Sequence, residues 1–264
     1  MPDRPRGRGQ RVSSPPVAGA ARELGLEVAQ PASVNGEDAR ARIAEARPEV
    51  VCVCAFGGLI KEPLLSDYLM LNVHPSLLPR WRGAAPIERA IMAGDERTGV
   101  SIMRVTAGLD SGPVCAQASE PIRPDDTYGT LAGRLQELGG NLLLRTLEES
   151  PSCAEQDESL ATYAEKISPA DRRLDPARPA SVLERIVRAL SPHKAAFLEL
   201  QDGTRLGVLE ARAVLDGAGD GGIVLRDGRQ PALACGEGQL ALLAVKPEGR
   251  RAMSGEDWVR GWQR

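Results

Sequence analysis

Apolar residues along this chain fall into two patterns, short unbroken runs and helix-spaced stripes, which take turns through the first 150 residues. The run V-V-C-V-C-A-F over Val50–Phe56 predicts a strand buried on both faces, with Cys52 and Cys54 as buried thiols on one side. Leu69–His74, Gly99–Val105 and Pro113–Ser119 predict three more strands. Helices are expected over Val17–Gly25, Asp38–Arg47, Glu62–Asp67 and Pro86–Gly94, the last with Pro near its first turn and Gly at its end; Glu27–Gln30 is a short extended piece. Thr127–Glu149 predicts a long amphipathic helix capped by Asp125 or Asp126. This alternation points to the α/β class with a parallel sheet.

The pattern changes after Ser150. Ala161–Ile167 and Ser181–Leu190 read as helices, with a Pro-broken, Arg-rich stretch between them. From Ala195 onward short apolar runs (F-L-E-L, R-L-G-V-L-E, G-I-V-L, L-A-L-L-A-V) alternate with Asp-Gly turns at 202–203, 216–217 and 227–228. That is hairpin chemistry and predicts a small antiparallel barrel of the OB type, closed by a helix at Glu256–Trp262. The expected organisation is a catalytic domain at 1–150, a linker at 151–178 and the barrel domain at 179–264.

Composition narrows the classes. Apolar residues make up 42% of the 264-residue chain but aromatics only 3%, so the core must be aliphatic. A net charge of −3 argues against a uniformly basic nucleic-acid binder, so an RNA partner would meet local patches. The five cysteines have no zinc spacing; Cys115, Cys153 and Cys235 stand alone, which predicts no disulfide framework and a reducing, cytoplasmic setting. No apolar run approaches membrane-spanning length, and the opening M-P-D-R-P-R-G-R-G-Q-R lacks a secretory apolar segment. A Gly-rich dinucleotide turn, a P-loop, H-E-x-x-H and a paired CxxC are all missing from the sequence, which removes support for dinucleotide, nucleotide and zinc chemistry.

The candidate chemistry is concentrated in L-N-V-H-P-S-L-L-P-R-W-R-G-A-A-P at Leu71–Pro86 and G-L-D-S-G at Gly108–Gly112. Asn72 and His74 are two apart on a strand, so they share a face, and they sit where open α/β sheets bind ligands. An amide can donate to an oxyanion, an imidazole can move a proton, and the Asp110 carboxylate can hold the imidazole or accept a proton: a set suited to acyl transfer without a covalent nucleophile. Taken alone, a histidine at a strand end is more often structural, and G-L-D-S-G is an ordinary turn. The functional reading requires the two segments to meet. Ser76–Pro79 is either a rigid connection or the wall of a ligand site, with Leu77 and Leu78 against a flat heterocycle and Arg80 or Arg82 meeting an anion. Arg4, Arg6, Arg8 and Arg11 form a solvated loop or a phosphate grip, which Arg172, Arg173 and Arg178 and then Lys246, Arg250, Arg251 and Arg260 could extend.

N-V-H-P-S-L-L-P followed by G-L-D-S-G resembles the signature of the folate-dependent formyltransferase family. R-W-R-G-A-A-P-I at Arg80–Ile87, G-V-S-I-M at Gly99–Met103, A-T-Y-A-E-K-I at Ala161–Ile167 and the Pro2–Gly9 segment resemble the branch that formylates initiator methionyl-tRNA for translation initiation. The resemblance implies a Rossmann-like domain with catalytic Asn72, His74 and Asp110, and 10-formyltetrahydrofolate as co-substrate at Ser76, Leu77, Leu78 and Pro79. It also implies that Arg8 reaches the tRNA and that the barrel helps bind it; Arg6, Arg80, Arg82 and Arg172 are read beside Arg8 as further tRNA contacts, and a monomer with neither metal nor membrane attachment is expected. Members of the family open with a strand, a Gly-containing loop and a helix that have no counterpart here, so a start upstream or a truncated product is expected. The alternatives are a non-catalytic tRNA-binding remnant and a related formyltransferase acting on a nucleotide sugar.

Overall fold

Short apolar runs punctuated by Gly and Pro become strands, and the longer stripes become helices. The computed structural model of the chain describes residues 4–6, 11–200, 202–217 and 219–262, with side chains described within 14–261 of those ranges. They divide into two compact units, one of residues 1–71 and 105–107 and one of residues 72–104 and 108–264.

The first unit carries the antiparallel pair β1 (Arg4–Arg6) and β2 (Arg11–Ser13), then α1 (Pro16–Glu23), α2 (Glu37–Ala46), β3 (Val51–Cys54) and α3 (Leu64–Asp67). The expected extended piece at Glu27–Gln30 has no regular structure. In β3 the valines are half-buried but Cys52 and Cys54 are exposed, against the expectation of a strand buried on both sides. An unbroken apolar run says that a strand can be buried on two faces, whereas the packing partners that decide it lie elsewhere in the chain.

β4 (Met70–His74) runs into the second unit, where Asn72–His74 begin it. There follow β5 (Arg82–Gly83), α4 (Pro86–Ala93), β6 (Arg97–Arg104), β7 (Val114–Pro121), α5 (Tyr128–Glu149) and β8 (Tyr163–Ala164). β6 and β7 pair antiparallel, so the sheet is not all-parallel as expected. The connection from 105 to 113 is too short for the crossover that a parallel neighbour needs. α5 buries Leu131, Leu135 and Leu142 along one stripe. Gly139 lets that stripe approach the strands, because a Cβ there would lie 3.0 Å from Val73 Cγ1. The cap of α5 is Thr127, in a reciprocal box with Thr130, not either aspartate. Asp126 instead accepts from Thr130 Oγ1, from the Arg123 N–H and from Arg134.

The expected helix at Ala161–Ile167 is replaced by β8, which pairs in parallel with β5 at Arg82↔Tyr163. The Arg82 N–H donates to Thr162 O, and the Ala84 and Ala85 N–H groups both donate to Ala164 O. Tertiary backbone pairing overrides a weak helical preference over so short a segment. After α6 (Ala180–Leu190), strands β9 (Ala196–Glu199), β10 (Arg205–Val214), β11 (Ile223–Arg226), β12 (Gln230–Ala234), β13 (Gln239–Pro247) and β14 (Met253–Ser254) form one antiparallel sheet, followed by α7 (Gly255–Trp262). Its aliphatic core joins Leu183, Leu190, Leu206, Leu240 and Leu242, as an aromatic-poor sequence requires.

Cys115 and Cys153 are joined in a disulfide, which corrects the expectation of isolated thiols. Sequence spacing could not reveal the pair. The segment after α5 folds back on β7, where Val114 and Ala154 exchange two backbone hydrogen bonds of 2.8 and 2.9 Å and bring the neighbouring cysteines together. Among the described residues no helix is long and apolar enough to cross a membrane.

Candidate active site

Asn72, His74 and Asp110 meet in the second unit. β4 presents the first two on one face because they are two residues apart. Asp110 comes from the loop that joins β6 to β7. Its Oδ1 accepts from Asn72 Nδ2 at 3.4 Å, and its Oδ2 lies 3.6 Å from His74 Nδ1. The same Oδ2 accepts the Gly83 N–H at 2.9 Å. Gly83 adopts φ 113°, and a Cβ on it would stand 3.0 Å from Ala164 O, so the β5–β8 contact that aims this N–H favours glycine.

His74 is buried, and its Nε2 lies 2.8 Å from Trp81 O. A carbonyl can only accept, so Nε2 carries a proton, and whenever the ring is neutral the nitrogen left free is Nδ1, which faces Asp110. The ring can therefore take a proton at Nδ1 and become a cation beside a carboxylate. Asn72 is half-buried and its contact with Asp110 is long, so its amide keeps donor capacity for a developing oxyanion.

Ser76–Pro79 follows directly. Ser76 is fully buried and donates its hydroxyl to Arg80 O at 2.6 Å, which spends that side chain on the loop itself. Leu78 is buried, and Leu77 and Pro79 are half-buried. Ser101, which the sequence reading did not single out, holds this loop: its hydroxyl donates to Ser76 O and accepts from the Leu78 N–H, and Gln117 donates both to it and to Leu78 O. A fully buried serine within the apolar run V-S-I-M was the available signal.

The arginines separate. Arg80 is partly exposed, forks onto Asp95 and stacks over Trp81, whose Nε1 also donates to Asp95; the Asp95 hydrogen bond raises the Arg80 pKa further. Arg82 is 1% exposed. It donates twice to Gln156 Oε1 and twice to Glu158, and the Glu158 bond raises its pKa. A guanidinium so buried and so engaged cannot reach a phosphate, which corrects the expectation of Arg82 as a tRNA contact. Arg172 is half-buried with Nε on Ala195 O. Arg6 lies in β1, where only the backbone is described, and Arg8 lies outside the described residues. Among the described residues no group of three or more His, Cys, Asp or Glu side chains is placed to hold a metal ion.

The family model described as formyl transferase matches residues 1–147, and its C-terminal domain model matches residues 166–263. The methionyl-tRNA formyltransferase of Ruegeria pomeroyi is 42% identical over 99% of this chain and 87% of its own length. That of Methylococcus capsulatus is 43% identical over 98% of this chain and 86% of its own. Among solved structures, HypX from Aquifex aeolicus in complex with tetrahydrofolic acid superimposes with a TM-score of 0.65 at 18% identity, over 83% of this chain and 40% of that one. A sugar N-formyltransferase from Shewanella gives 0.59 at 23% identity, over 70% and 77%. At those identities the two structures share the fold.

Proposed function

The chain belongs to the formyl transferase family, and from that premise we propose that it moves the formyl group of 10-formyltetrahydrofolate to the amino group of initiator methionyl-tRNA. The observation that carries this reading is the meeting of Asn72, His74 and Asp110 within 3.6 Å, in a chain that relatives of that activity match almost end to end.

The folate supplies an activated one-carbon acyl group. The donor set fits it: an amide donor, a proton-carrying imidazole and a carboxylate are what transfer between two nitrogens requires, with no group needed to form a covalent adduct. One C–N bond forms and one breaks, the attacking amine loses a proton and the departing nitrogen gains one. Asn72 Nδ2 donates to the formyl oxygen as negative charge develops there. His74 takes the amine proton at Nδ1 and passes it on, directly or through water, while its Nε2 stays on Trp81 O. Asp110 stabilises the imidazolium and keeps the ring and the Asn72 amide aligned. Leu77 and Pro79 contribute to the wall of the folate site, with Ser76 and Leu78 acting from beneath. Arg6, Arg8, Arg80 and Arg172 meet tRNA phosphates. In this reading residues 1–150 carry the chemistry, 151–178 link, and 179–264 bind tRNA, in a monomer whose cytoplasmic setting follows from its tRNA substrate and no longer from its cysteines, since Cys115 and Cys153 are bonded.

The test is direct. Purified protein is incubated with 10-formyltetrahydrofolate and charged initiator tRNA, and formyl-methionine is counted on the tRNA, with a nucleotide amino-sugar as the competing acceptor. Product on the tRNA alone is expected. Product on the sugar alone, or on neither, overturns the reading.

A further inference from the structure

We propose that Gln156 is a positioning residue for formyl transfer, fixing Asp110 against His74 from the segment that follows α5. The role in catalysis rests on the formyl-transfer reading above; the positioning does not.

Asp110 sits in the left-handed region, at φ 45°. A non-glycine residue is rarely found there, and surrounding contacts must hold it. Gln156 supplies them. Its Nε2 donates to Asp110 O at 2.9 Å and to Gly112 O at 2.7 Å, on both sides of Ser111. Its Oε1 accepts from Arg82 Nε and Nη2 at 3.0 and 2.9 Å. Both amide protons and both lone pairs are used, and the partners allow one orientation only, since the carbonyls cannot donate and the guanidinium cannot accept. Arg82 is the neighbour of Gly83, whose N–H meets the Asp110 carboxylate. One carboxamide therefore holds Asp110 from two directions: its backbone directly, and its carboxylate through the strand that carries Arg82.

Glu158 and the disulfide brace this segment without touching Asp110. Glu158 holds the far side of the Arg82 fork, and Cys153 ties the chain to β7 three residues before Gln156. This gives a clean separation of variants. Gln156→Glu keeps an acceptor for Arg82 but turns a carboxylate toward two carbonyl oxygens, so the Asp110 arm is lost and the Arg82 arm kept. Glu158→Gln weakens the Arg82 arm and leaves the Asp110 arm in place.

The experiment compares wild type, Q156E and E158Q by steady-state formyl transfer, thermal melting and the ring ¹⁵N spectrum of His74. The chain has two histidines, so His193→Asn assigns the signals. Displacing a reacting group by about 1 Å costs on the order of a hundredfold. Q156E is thus expected to lower kcat roughly ten- to a hundredfold, with both KM values within about threefold, and to shift the His74 ring signals. E158Q is expected to lower the melting temperature with the ring signals in place. A Q156E variant that retains wild-type kcat and ring signals overturns the proposal. So does one whose kcat falls while the ring signals stay put and E158Q, at equal loss of melting temperature, loses as much activity. Should wild type itself transfer no formyl group, the functional reading fails, while moved ring signals in Q156E still uphold the positioning and unmoved ones refute it.

Discussion

His74 points its Nε2 at the carbonyl oxygen of Trp81, 2.8 Å away, and this contact decides which nitrogen faces Asp110. Trp81 has φ 62°, and its N–H is held by Thr162 Oγ1 at 2.9 Å, so the carbonyl is anchored by the strand pairing of β5 and β8 rather than by the histidine. The neutral ring should carry its proton on Nε2. Two-bond ¹H–¹⁵N correlation at a pH where the ring is neutral will read that tautomer directly. A proton found on Nδ1 would reverse the direction of proton movement argued for the site.

Asn72→Ala removes the amide from this arrangement. An oxyanion donor is worth roughly 10²–10³ in kcat, about 3–4 kcal/mol, in acyl-transfer sites. Because that interaction grows as charge develops, turnover should fall by about that factor while folate affinity, followed by fluorescence or calorimetry, changes little. Equal losses in both would assign Asn72 to ground-state binding.

Much of this was legible in the sequence, and the remainder fails for identifiable reasons. Local patterns carried the strand at Met70–His74, the long helix from Tyr128 and the hairpins at the Asp-Gly turns 202–203 and 227–228, because apolar period and turn residues are local facts, whereas the Asp-Gly at 216–217 joins β10 to β11, which do not pair. Asn72, His74 and Asp110 were named together from motif chemistry, and the structure brings them together. Gln156 was invisible. It looks like any linker glutamine, and its partners lie 46 and 74 residues away. Arg82 misled for a related reason: arginine beside Trp81 in a loop reads as an exposed contact, and only the fold shows Glu158 and Gln156 enclosing it. Cys115 and Cys153 looked solitary because their meeting depends on a chain reversal between them.

The Cys115–Cys153 bond closes a loop of 38 residues in sequence separation. Chain-entropy arguments value such a closure at about 4 kcal/mol, acting on the unfolded chain. The backbone pair of Val114 and Ala154 does not depend on the bond, so the native arrangement should persist when it is cut, with lower equilibrium stability to denaturant. Equilibrium urea unfolding with and without reductant should show the midpoint falling in reductant, and a Cys115→Ala/Cys153→Ala double variant should match the reduced protein. An unchanged midpoint would mean that the bond does not constrain the unfolded chain.

Two aspartates should govern acid stability. Burial of Asp126 pushes its pKa up, but hydrogen bonds from Arg134, the Arg123 N–H and Thr130 outweigh that and bring it to about 2. Asp171 is also held at about 2, chiefly by its hydrogen bonds from Arg89, with burial opposing and Ser168 assisting. Both values lie below the 3.8 of a free aspartate. A depressed folded-state pKa contributes stability that is complete above the unfolded value and disappears as pH falls through the folded one. Each group should then contribute roughly 2 kcal/mol at neutral pH, lost between about pH 5 and pH 2. Asp126→Asn and Asp171→Asn should each be less stable than wild type at pH 6, and the gap should close as the pH approaches 2, because protonation does to the native aspartate what the substitution has already done. Urea unfolding at pH 6, 4, 3 and 2 follows this convergence. Curves that stay parallel across that range would show that neither carboxylate titrates with folding and that the pairs with Arg134 and Arg89 contribute through shape alone.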